Sequence, residues 1–198
     1  MIVGITGGIG SGKSTVVSFF KEFDEIAVYL ADVEAKKLMN SSDNIKSKLK
    51  REFGKKVYKN NQLNRGYLSA IVFKSKEKLA ILNTIVHPEV AKHFQKFISK
   101  NRGKAYILYE NAILFENKND VFCDVIITVT APLKVRIDRV VKRDKTTRES
   151  VLQRIQNQWK DDKKKLQSNY SIENINLDEV KLIVKKIHQK LISNSFKK

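Results

Sequence analysis

Apolar residues along this chain follow two spacings. Short, nearly continuous apolar runs, of the kind that forms buried parallel strands, alternate with longer segments whose apolar residues recur every three or four positions, as on one face of a helix. The predicted strands cover residues 2–6, 26–32, 105–111, 121–130 and 171–174. This alternation predicts an α/β fold with a parallel five-stranded sheet flanked by helices.

The first predicted strand ends at a glycine-rich loop. Residues 7–14 read GGIGSGKS and match the pattern G-x-x-x-x-G-K-[ST]. Glycines permit positive φ, so successive N–H groups turn inward around phosphate oxygens, and the next helix directs its positive end at the same anion. Lys13 then reaches the β- and γ-phosphates, and the Ser14 hydroxyl can bind Mg²⁺. The pattern predicts a P-loop that binds a nucleoside triphosphate through Gly10, Ser11, Gly12, Lys13, Ser14 and Thr15.

Asp32 ends the second predicted strand. Ligands of open α/β sheets bind outside the carboxyl ends of the strands, so we expect Asp32 to face the crevice that holds the P-loop. It could there take the proton of a hydroxyl that attacks the γ-phosphate. Asp32 also suits the N-cap of a helix that starts at Val33, and the pattern leaves both interpretations open. Glu110, near the end of the third predicted strand, is either a carboxylate near Mg²⁺ or a surface strand end.

Residues 33–104 are predicted to be mainly helical. One helix covers residues 77–86 and is expected to end at His87-Pro88, because the residue before proline avoids the α conformation. Pro88 would begin the next helix, whose apolar face includes Phe94. On spacing alone, His87 is a helix cap or a residue at the edge of the core.

Arginine is concentrated in one segment. Five of the eight arginines are Arg136, Arg139, Arg143, Arg148 and Arg154, and the planar guanidinium suits phosphate oxygens. A predicted helix over 133–143 puts Arg139 and Arg143 on one face. Thr147 is predicted to cap a second helix that runs through Lys165. The pair forms either a lid that excludes water from phosphoryl transfer or a solvated basic hairpin.

Composition narrows the class of protein. A length of 198 residues with 41% hydrophobic residues predicts one compact nucleotide-binding domain with insertions. The chain has no apolar run long enough to span a bilayer, and its single cysteine cannot form an internal disulfide, so we expect a cytoplasmic protein without membrane contact. The net charge of +18 keeps a nucleic-acid-binding P-loop ATPase as an alternative. Dispersed lysines and the lack of an aromatic–basic stacking platform argue against it, so no nucleic-acid partner is expected.

These motifs together resemble the dephospho-coenzyme A kinases, nearly from end to end. The family patterns are TGGIGSGKST, D-A-D, L-N-x-x-x-H-P, P-L-L-F-E, R-x-x-x-R-D, R-I-x-x-Q and V-I-D-N. Their counterparts in this chain are residues 6–15, Ala31-Asp32, Leu82-Asn83 with His87-Pro88, residues 113–116, Arg139 with Arg143-Asp144, Arg154-Ile155 with Gln158, and Asn174.

The chain departs from these patterns at five positions. Leu30 replaces the first aspartate of D-A-D, Glu110 a common aspartate, and Ala112 the proline of P-L-L-F-E. Asn169 and Glu173 stand where the family often has aspartate. The residues expected to act on phosphate and acceptor are retained, namely Lys13, Ser14, Asp32 and Arg139.

The resemblance implies ATP-dependent phosphorylation of the ribose 3′-hydroxyl of dephospho-CoA, with Mg²⁺ as cofactor. Lys13, Asp32 and Arg139 would be catalytic: Lys13 on the phosphates, Asp32 as base, and Arg139 on the transferred phosphoryl group. The remaining implied contacts are Arg143 with ATP, His87 and Glu116 with the acceptor, and Ser14 with the metal. The rival of the same architecture is another small-molecule kinase, such as a nucleoside monophosphate kinase.

The resemblance also implies three parts within one kinase domain. The nucleotide-binding core would consist of residues 1–32, 105–135 and 166–198, the helical acceptor-binding part of residues 33–104, and the lid of residues 136–165. The expected assembly is a monomer or a weak homo-oligomer.

Overall fold

The computed structural model describes residues 1–72 and 74–195. The chain folds into two compact units. Met1–Leu30 and Asn101–Lys198 form the first, here called the core unit, and Ala31–Lys100 form the second, here called the helical unit. The core unit therefore contains both the P-loop segment and the arginine-rich segment.

Two sheets occur in the described part of the chain. The strands are β1 Ile2–Thr6, β2 Ile26–Leu30, β3 Tyr58–Lys59, β4 Gln62–Leu63, β5 Tyr106–Glu110, β6 Val125–Thr130 and β7 Tyr170–Glu173. The core unit holds a parallel five-stranded sheet in the order β2-β5-β1-β6-β7, and β3 and β4 form a short antiparallel hairpin in the helical unit. The predicted parallel sheet is thus confirmed.

The helices, in chain order, are α1 Lys13–Phe20, α2 Ala31–Ser41, α3 Asp43–Phe53, α4 Arg65–Val72, α5 Lys76–Lys100, α6 Leu133–Asp144, α7 Arg148–Gln156, α8 Asp161–Leu166 and α9 Leu177–Ser195. Short 3₁₀ turns cover Lys55–Val57 and Asn119–Phe122. Helices α2 to α5 belong to the helical unit and the others to the core unit.

The register of the core sheet aligns the strand ends that position the site. Leu30 of β2 lies beside Glu110 of β5, and Glu110 lies beside Ile5 of β1. On the other side of β1, Thr6 lies beside Thr128 of β6. The P-loop therefore leaves the middle of the sheet at the level where the neighbouring strands end.

Each unit has its own apolar core. In the core unit α1 and α9 pack on the sheet, and Phe20, Val184 and Leu191 join strand residues such as Ile5 in a cluster with little or no exposure. In the helical unit the core consists of Ile45, Leu49, Phe53, Val57, Leu68, Val72, Ile85 and Val86. Both cores follow the apolar periodicity of the sequence.

The predicted break at His87-Pro88 is wrong. Helix α5 continues through Pro88 from Lys76 to Lys100. Proline removes one intrahelical hydrogen bond, but Ile85 and Val86 before it and Phe94 after it are all buried. Burial of apolar side chains on both flanks offsets the lost bond, so His87 lies inside a helix and is not a cap.

Three predicted boundaries also shift. Strand β2 stops at Leu30, so Asp32 lies in the first turn of α2 and is neither a strand end nor the N-cap of a helix starting at Val33. Strand β6 begins at Val125 and not at residue 121. Thr147 caps α7 by accepting from the Ser150 amide, as predicted, but α7 ends at Gln156 and does not reach Lys165.

Candidate functional site

The P-loop has the backbone of an anion cradle. Gly10 and Gly12 have φ of 79° and 86°, in the left-handed region that favours glycine. A Cβ on Gly12 would collide with the Asn174 amide, so no larger residue fits there. Helix α1 begins at Lys13, directly after Gly12, so the positive end of its dipole adjoins the loop.

Lys13 and Ser14 occupy the first turn of α1. The Lys13 ammonium donates to the Gly7 carbonyl at 2.8 Å, which holds this cation over the loop. The Ser14 side chain is exposed, and no described residue bonds to its hydroxyl. Thr15 follows, half-buried, with its amide donating to Gly12.

The donor set at this loop fits Mg²⁺ better than a metal held by protein alone. Among the described residues no cluster of three His, Cys, Asp or Glu side chains could hold a metal ion. Mg²⁺ in nucleotide sites takes one or two protein ligands and completes its shell with phosphate oxygens and water. The free Ser14 hydroxyl can supply such a ligand.

Two arginines of α6 reach the P-loop. Arg136 is 6% exposed, and its Nε donates to the Ile9 carbonyl at 2.9 Å. Arg139 is half-buried and donates through Nη2 to the Asn174 carbonyl at 2.9 Å. Longer bonds of 3.5 Å join Arg139 Nη1 to the carbonyls of Gly10 and Ser11. The structure therefore brings Arg139 to the loop that contains Gly10, Ser11 and Gly12.

Arg143 follows Arg139 by one turn of α6, but it bonds to a carboxylate of its own helix and not to the P-loop. Its guanidinium donates to both carboxylate oxygens of Asp144 and its side chain is 63% exposed. Arg154 bonds to the same carboxylate at 2.9 Å. Hydrogen bonding to Arg143 holds the pKa of Asp144 below its ordinary value. Among the predicted ATP contacts, Arg143 is thus the one bound to a neighbouring carboxylate and not to the P-loop.

Two side chains from later segments complete the P-loop contacts. Asn174, which follows β7, donates from Nδ2 to the Ser11 carbonyl at 3.0 Å and to the Gly12 carbonyl at 3.3 Å. Gln158, which lies after α7, accepts from the Ile9 amide at 2.8 Å. Both residues hold the loop backbone, which keeps its amides in one arrangement.

Glu116 follows the turn after β5 and is paired with a buried lysine. Its Oε1 accepts from Lys164 Nζ at 2.9 Å and from the Trp159 amide at 2.8 Å. Lys164 is 0% exposed and also donates to the Ala112 carbonyl at 3.1 Å. Glu116 therefore connects this turn to α8.

Asp32 and His87 belong to the helical unit. Asp32 is exposed in the first turn of α2, where a carboxylate is favoured by the helix dipole. His87 lies on an exposed part of α5, yet desolvation by neighbouring atoms lowers the pKa of its imidazole. The lowered pKa favours the neutral imidazole, in which one ring nitrogen can donate a hydrogen bond and the other can accept one.

The comparisons with known proteins agree with each other. The family model described as dephospho-CoA kinase matches residues 1–179. The chain belongs to the dephospho-CoA kinase family. It is 37% identical over 172 residues to the dephospho-CoA kinase of Bacteroides fragilis strain YCH46, covering 87% of this chain and 83% of that one.

Solved structures support the same fold. TT1252 from Thermus thermophilus aligns with a TM-score of 0.83 and 30% identity, over 96% of this chain and 97% of that chain. Dephospho-CoA kinase from Campylobacter jejuni aligns with a TM-score of 0.71 and 24% identity over 98% of each chain, a likeness of fold. None of the helices in the described residues is long and apolar enough to cross a membrane.

Two departures from the family patterns have structural explanations. Leu30 is partly buried against the apolar cluster of the core unit. Asn169 bonds to Ile126 twice, since its amide donates to the Ile126 carbonyl and its Oδ1 accepts from the Ile126 amide. An asparagine oxygen accepts as an aspartate oxygen does, so the substitution at 169 keeps the link between β6 and β7.

Sequence reasoning missed Lys164 and Asp161. Asp161 accepts from Arg136 Nη1 at 2.8 Å. Both residues stand in the charged run DDKKK of residues 161–165, where every position looks solvated. No periodicity distinguishes Lys164 from Lys163 or Lys165. The available signal was the motif residue Glu116, a carboxylate in an apolar turn that needs a partner if it is buried.

Proposed function

We propose that this chain transfers the γ-phosphoryl group of ATP to the ribose 3′-hydroxyl of dephospho-CoA, which gives CoA and ADP in the last step of coenzyme A biosynthesis. The family match over residues 1–179 carries this conclusion, because it includes the P-loop, the whole helical unit and the arginine segment together. A P-loop alone would specify only a bound triphosphate.

The nucleotide would bind at the P-loop. We assign phosphate contacts to Gly10, Ser11, Gly12, Lys13, Ser14 and Thr15. The loop amides and α1 supply fixed dipoles, and Lys13 a mobile positive charge for the β- and γ-phosphates. Ser14 would hold Mg²⁺, which when bound neutralises charge on those phosphates.

Arg139 is assigned to the transferring phosphoryl group. The hydrogen bonds that Arg139 donates to the carbonyls of Gly10 and Ser11 support this role, since they keep its guanidinium at the edge of the P-loop. Arg143 is assigned to ATP by its family motif, and to reach the nucleotide its guanidinium would have to leave Asp144. The transition state of phosphoryl transfer is loose, so positive charge and positioning dominate the rate enhancement.

The acceptor contacts are assigned to the helical unit. Asp32 would accept or orient the proton of the attacking hydroxyl, and neutral His87 would hydrogen-bond to dephospho-CoA. Glu116 is assigned to the acceptor by its own family motif, P-L-L-F-E, but its contacts favour a different role, developed below. Closure of α6 and α7 as a lid, a cytoplasmic location, a monomeric or weakly oligomeric state and the absence of a nucleic-acid partner remain predictions.

A coupled ADP assay with different acceptors tests the proposal. Purified protein with ATP and Mg²⁺ should release ADP when dephospho-CoA is added, and should respond far less to AMP. ADP release that depends on AMP would identify a nucleoside monophosphate kinase. ADP release stimulated by RNA or DNA, with steeply salt-dependent binding, would identify the basic ATPase alternative.

A further inference from the structure

The segment from Gln158 to Lys164 bridges two parts of the core unit. At one end, Gln158 accepts from the Ile9 amide, and Asp161 is bonded to Arg136, whose Nε reaches the Ile9 carbonyl. At the other end, the segment is attached to the turn after β5 through Lys164. The backbone N–H of Ile9 is therefore bonded to this segment directly, and its carbonyl is linked to it through Arg136.

The attachment at the second end is a buried ion pair. Lys164 is wholly buried and its ammonium bonds to Glu116 and to the Ala112 carbonyl. Removing an ammonium and a carboxylate from water is costly, and the cost is offset only when each has a well-placed opposite charge and further hydrogen bonds. Without Glu116, Lys164 would have no carboxylate to pair with in its buried position, because Glu116 provides the one salt bridge to it in the described residues.

Glu116 also fixes the backbone where α7 ends. Its Oε1 accepts from the Trp159 amide, which gives that amide a partner outside any helix. The rings of Phe115 and Trp159 stack in parallel with centroids 5.7 Å apart. The turn after β5 thus holds the segment at Trp159 and at Lys164, a few residues apart.

The second carboxylate oxygen is closed off from solvent. Glu116 Oε2 is buried and has no hydrogen-bond partner among the described residues. Oε1 accepts from two donors of the protein and Oε2 is buried, so both oxygens are turned toward the protein. The contacts of Glu116 therefore favour a positioning role over a direct contact with the acceptor.

We infer that the Glu116–Lys164 pair positions the P-loop for ATP by anchoring the Gln158–Lys164 segment. The pair acts through Gln158 and Arg136 on the backbone N–H and carbonyl of Ile9, and so on the loop that cradles the phosphates. This role rests on the proposed function for its effect on turnover, but its effect on ATP binding does not require the acceptor.

The test uses ATP binding by calorimetry and kinetics with both substrates. Glu116→Gln and Lys164→Met each leave one buried charge without its partner, and each should raise the Kd for ATP at least about tenfold. The KM for dephospho-CoA should stay within about twofold of the native value. Lys165→Met is the matched control, because Lys165 is the exposed neighbour on α8, and its Kd for ATP should be native.

The double variant shows whether Glu116 and Lys164 affect ATP binding as a pair or independently of each other. Glu116→Gln with Lys164→Met removes both buried charges, so it should bind ATP more tightly than either single variant. If a single variant does not fold, the double variant should still fold and can be compared with native protein. Native ATP binding in both single variants, or a rise confined to the KM for dephospho-CoA in Glu116→Gln, would overturn the inference.

Failure of the proposed function would look different. If native protein binds ATP but phosphorylates no dephospho-CoA, the reaction assignment is wrong. The calorimetric comparison of native protein with the variants would still decide whether the pair positions the P-loop.

Discussion

The two units place polar side chains differently. Every buried polar or charged side chain in the described residues lies in the core unit, namely Thr6, Ser11, Asn111, Thr128, Thr130, Arg136, Lys164, Asn174 and His188. The ion pairs of the helical unit, such as Lys37–Glu34 and Arg51–Glu52, instead expose at least one partner well. The core unit therefore buries polar and charged side chains as well as apolar ones, whereas the described side chains that the helical unit buries are apolar.

The difference extends to buried groups without partners. The buried polar atoms that lack a hydrogen bond in the described chain are on Ser11, Glu116, Thr130, Asp161 and Asn174, all in the core unit. Such groups are uncommon in native proteins and cluster at functional sites. The core unit, which contains the P-loop, thus holds the buried polar groups of the described chain, whereas the helical unit carries its ion pairs at the surface.

The largest effect is expected from a variant that breaks a buried ion pair of the core unit. Arg136→Met leaves Asp161 without its cation, with side-chain exposures of 8% and 18% in the native pair. We expect a loss of about 3–5 kcal/mol in the free energy of unfolding. Arg51→Met, which removes an exposed pair in the helical unit, should cost about 1 kcal/mol or less. Urea unfolding measures both, and equal losses would contradict the contrast between the units.

Lys13→Ala tests the cradle itself. In the proposed site the Lys13 ammonium binds the β- and γ-phosphates, so its removal should lower kcat at least about a hundredfold. Lys21→Ala, at the other end of α1, is the control and should keep native turnover. A small loss in Lys13→Ala would mean that the loop amides alone supply the charge.

Arg139→Ala tests whether α6 contributes to the reaction. We expect kcat to fall at least about a hundredfold if the guanidinium acts in the transition state. Lys142→Ala, on the same helix, controls for loss of a positive charge. Near-native turnover in Arg139→Ala would refute the assignment of this arginine to the phosphoryl group.

Asp32→Asn examines the surface of the helical unit. General-base catalysis contributes about a hundredfold or more, so turnover should fall by that amount while binding of both substrates is retained. Glu34→Gln removes the other acid from the first turn of α2 and controls for the helix dipole. If Asp32→Asn keeps native turnover, Asp32 serves only the helix.

The smallest expected effect concerns a buried histidine of the core unit. His188 is hydrogen-bonded to the Tyr106 hydroxyl at 2.8 Å and stacks on Phe23 at 3.7 Å. Desolvation lowers the pKa of His188, although the nearby Glu25 opposes the shift. Below pH 6.5, the ordinary pKa, His188 binds a proton more readily in the unfolded chain than in the native state. The free energy of unfolding therefore has its full value above pH 6.5 and falls as the pH drops below it.

Thermal unfolding between pH 5 and pH 8 measures this dependence, and His188→Gln should flatten it. An unchanged slope in His188→Gln would assign the pH dependence to other groups. Because His188 lies away from the P-loop contacts, turnover at neutral pH should change less than stability.

Sequence patterns were most informative where structure is local. The continuous apolar run of β6 and the glycine spacing of residues 7–14 specify a buried parallel strand and a phosphate loop without reference to other segments. The same holds for the Thr147 cap, which needs only the amide of Ser150. The arginine cluster includes Arg136 and Arg139, which bond to P-loop carbonyls from α6, and its role as a phosphate clamp stays a prediction.

Tertiary contacts decided the features that the patterns missed. Helix α5 crosses Pro88 because apolar side chains on both sides of the proline, Ile85, Val86 and Val90, pack into one apolar cluster. Helix α7 ends at Gln156, shortly before the Trp159 amide bonds to Glu116. The carboxylate that pairs with the buried Lys164 belongs to Glu116, which lies 48 residues earlier in the sequence. Such long-range pairing leaves no mark on local periodicity.

Product analysis of the reaction with dephospho-CoA tests the central claim most directly. Native protein with ATP and Mg²⁺ should convert dephospho-CoA into a product that carries one additional phosphoryl group at the ribose 3′-oxygen, seen by mass spectrometry and ³¹P NMR. One ADP should form for each product molecule, and Lys13→Ala should form neither. ADP release without phosphorylated dephospho-CoA, or phosphorylation of another acceptor in its place, would contradict the account.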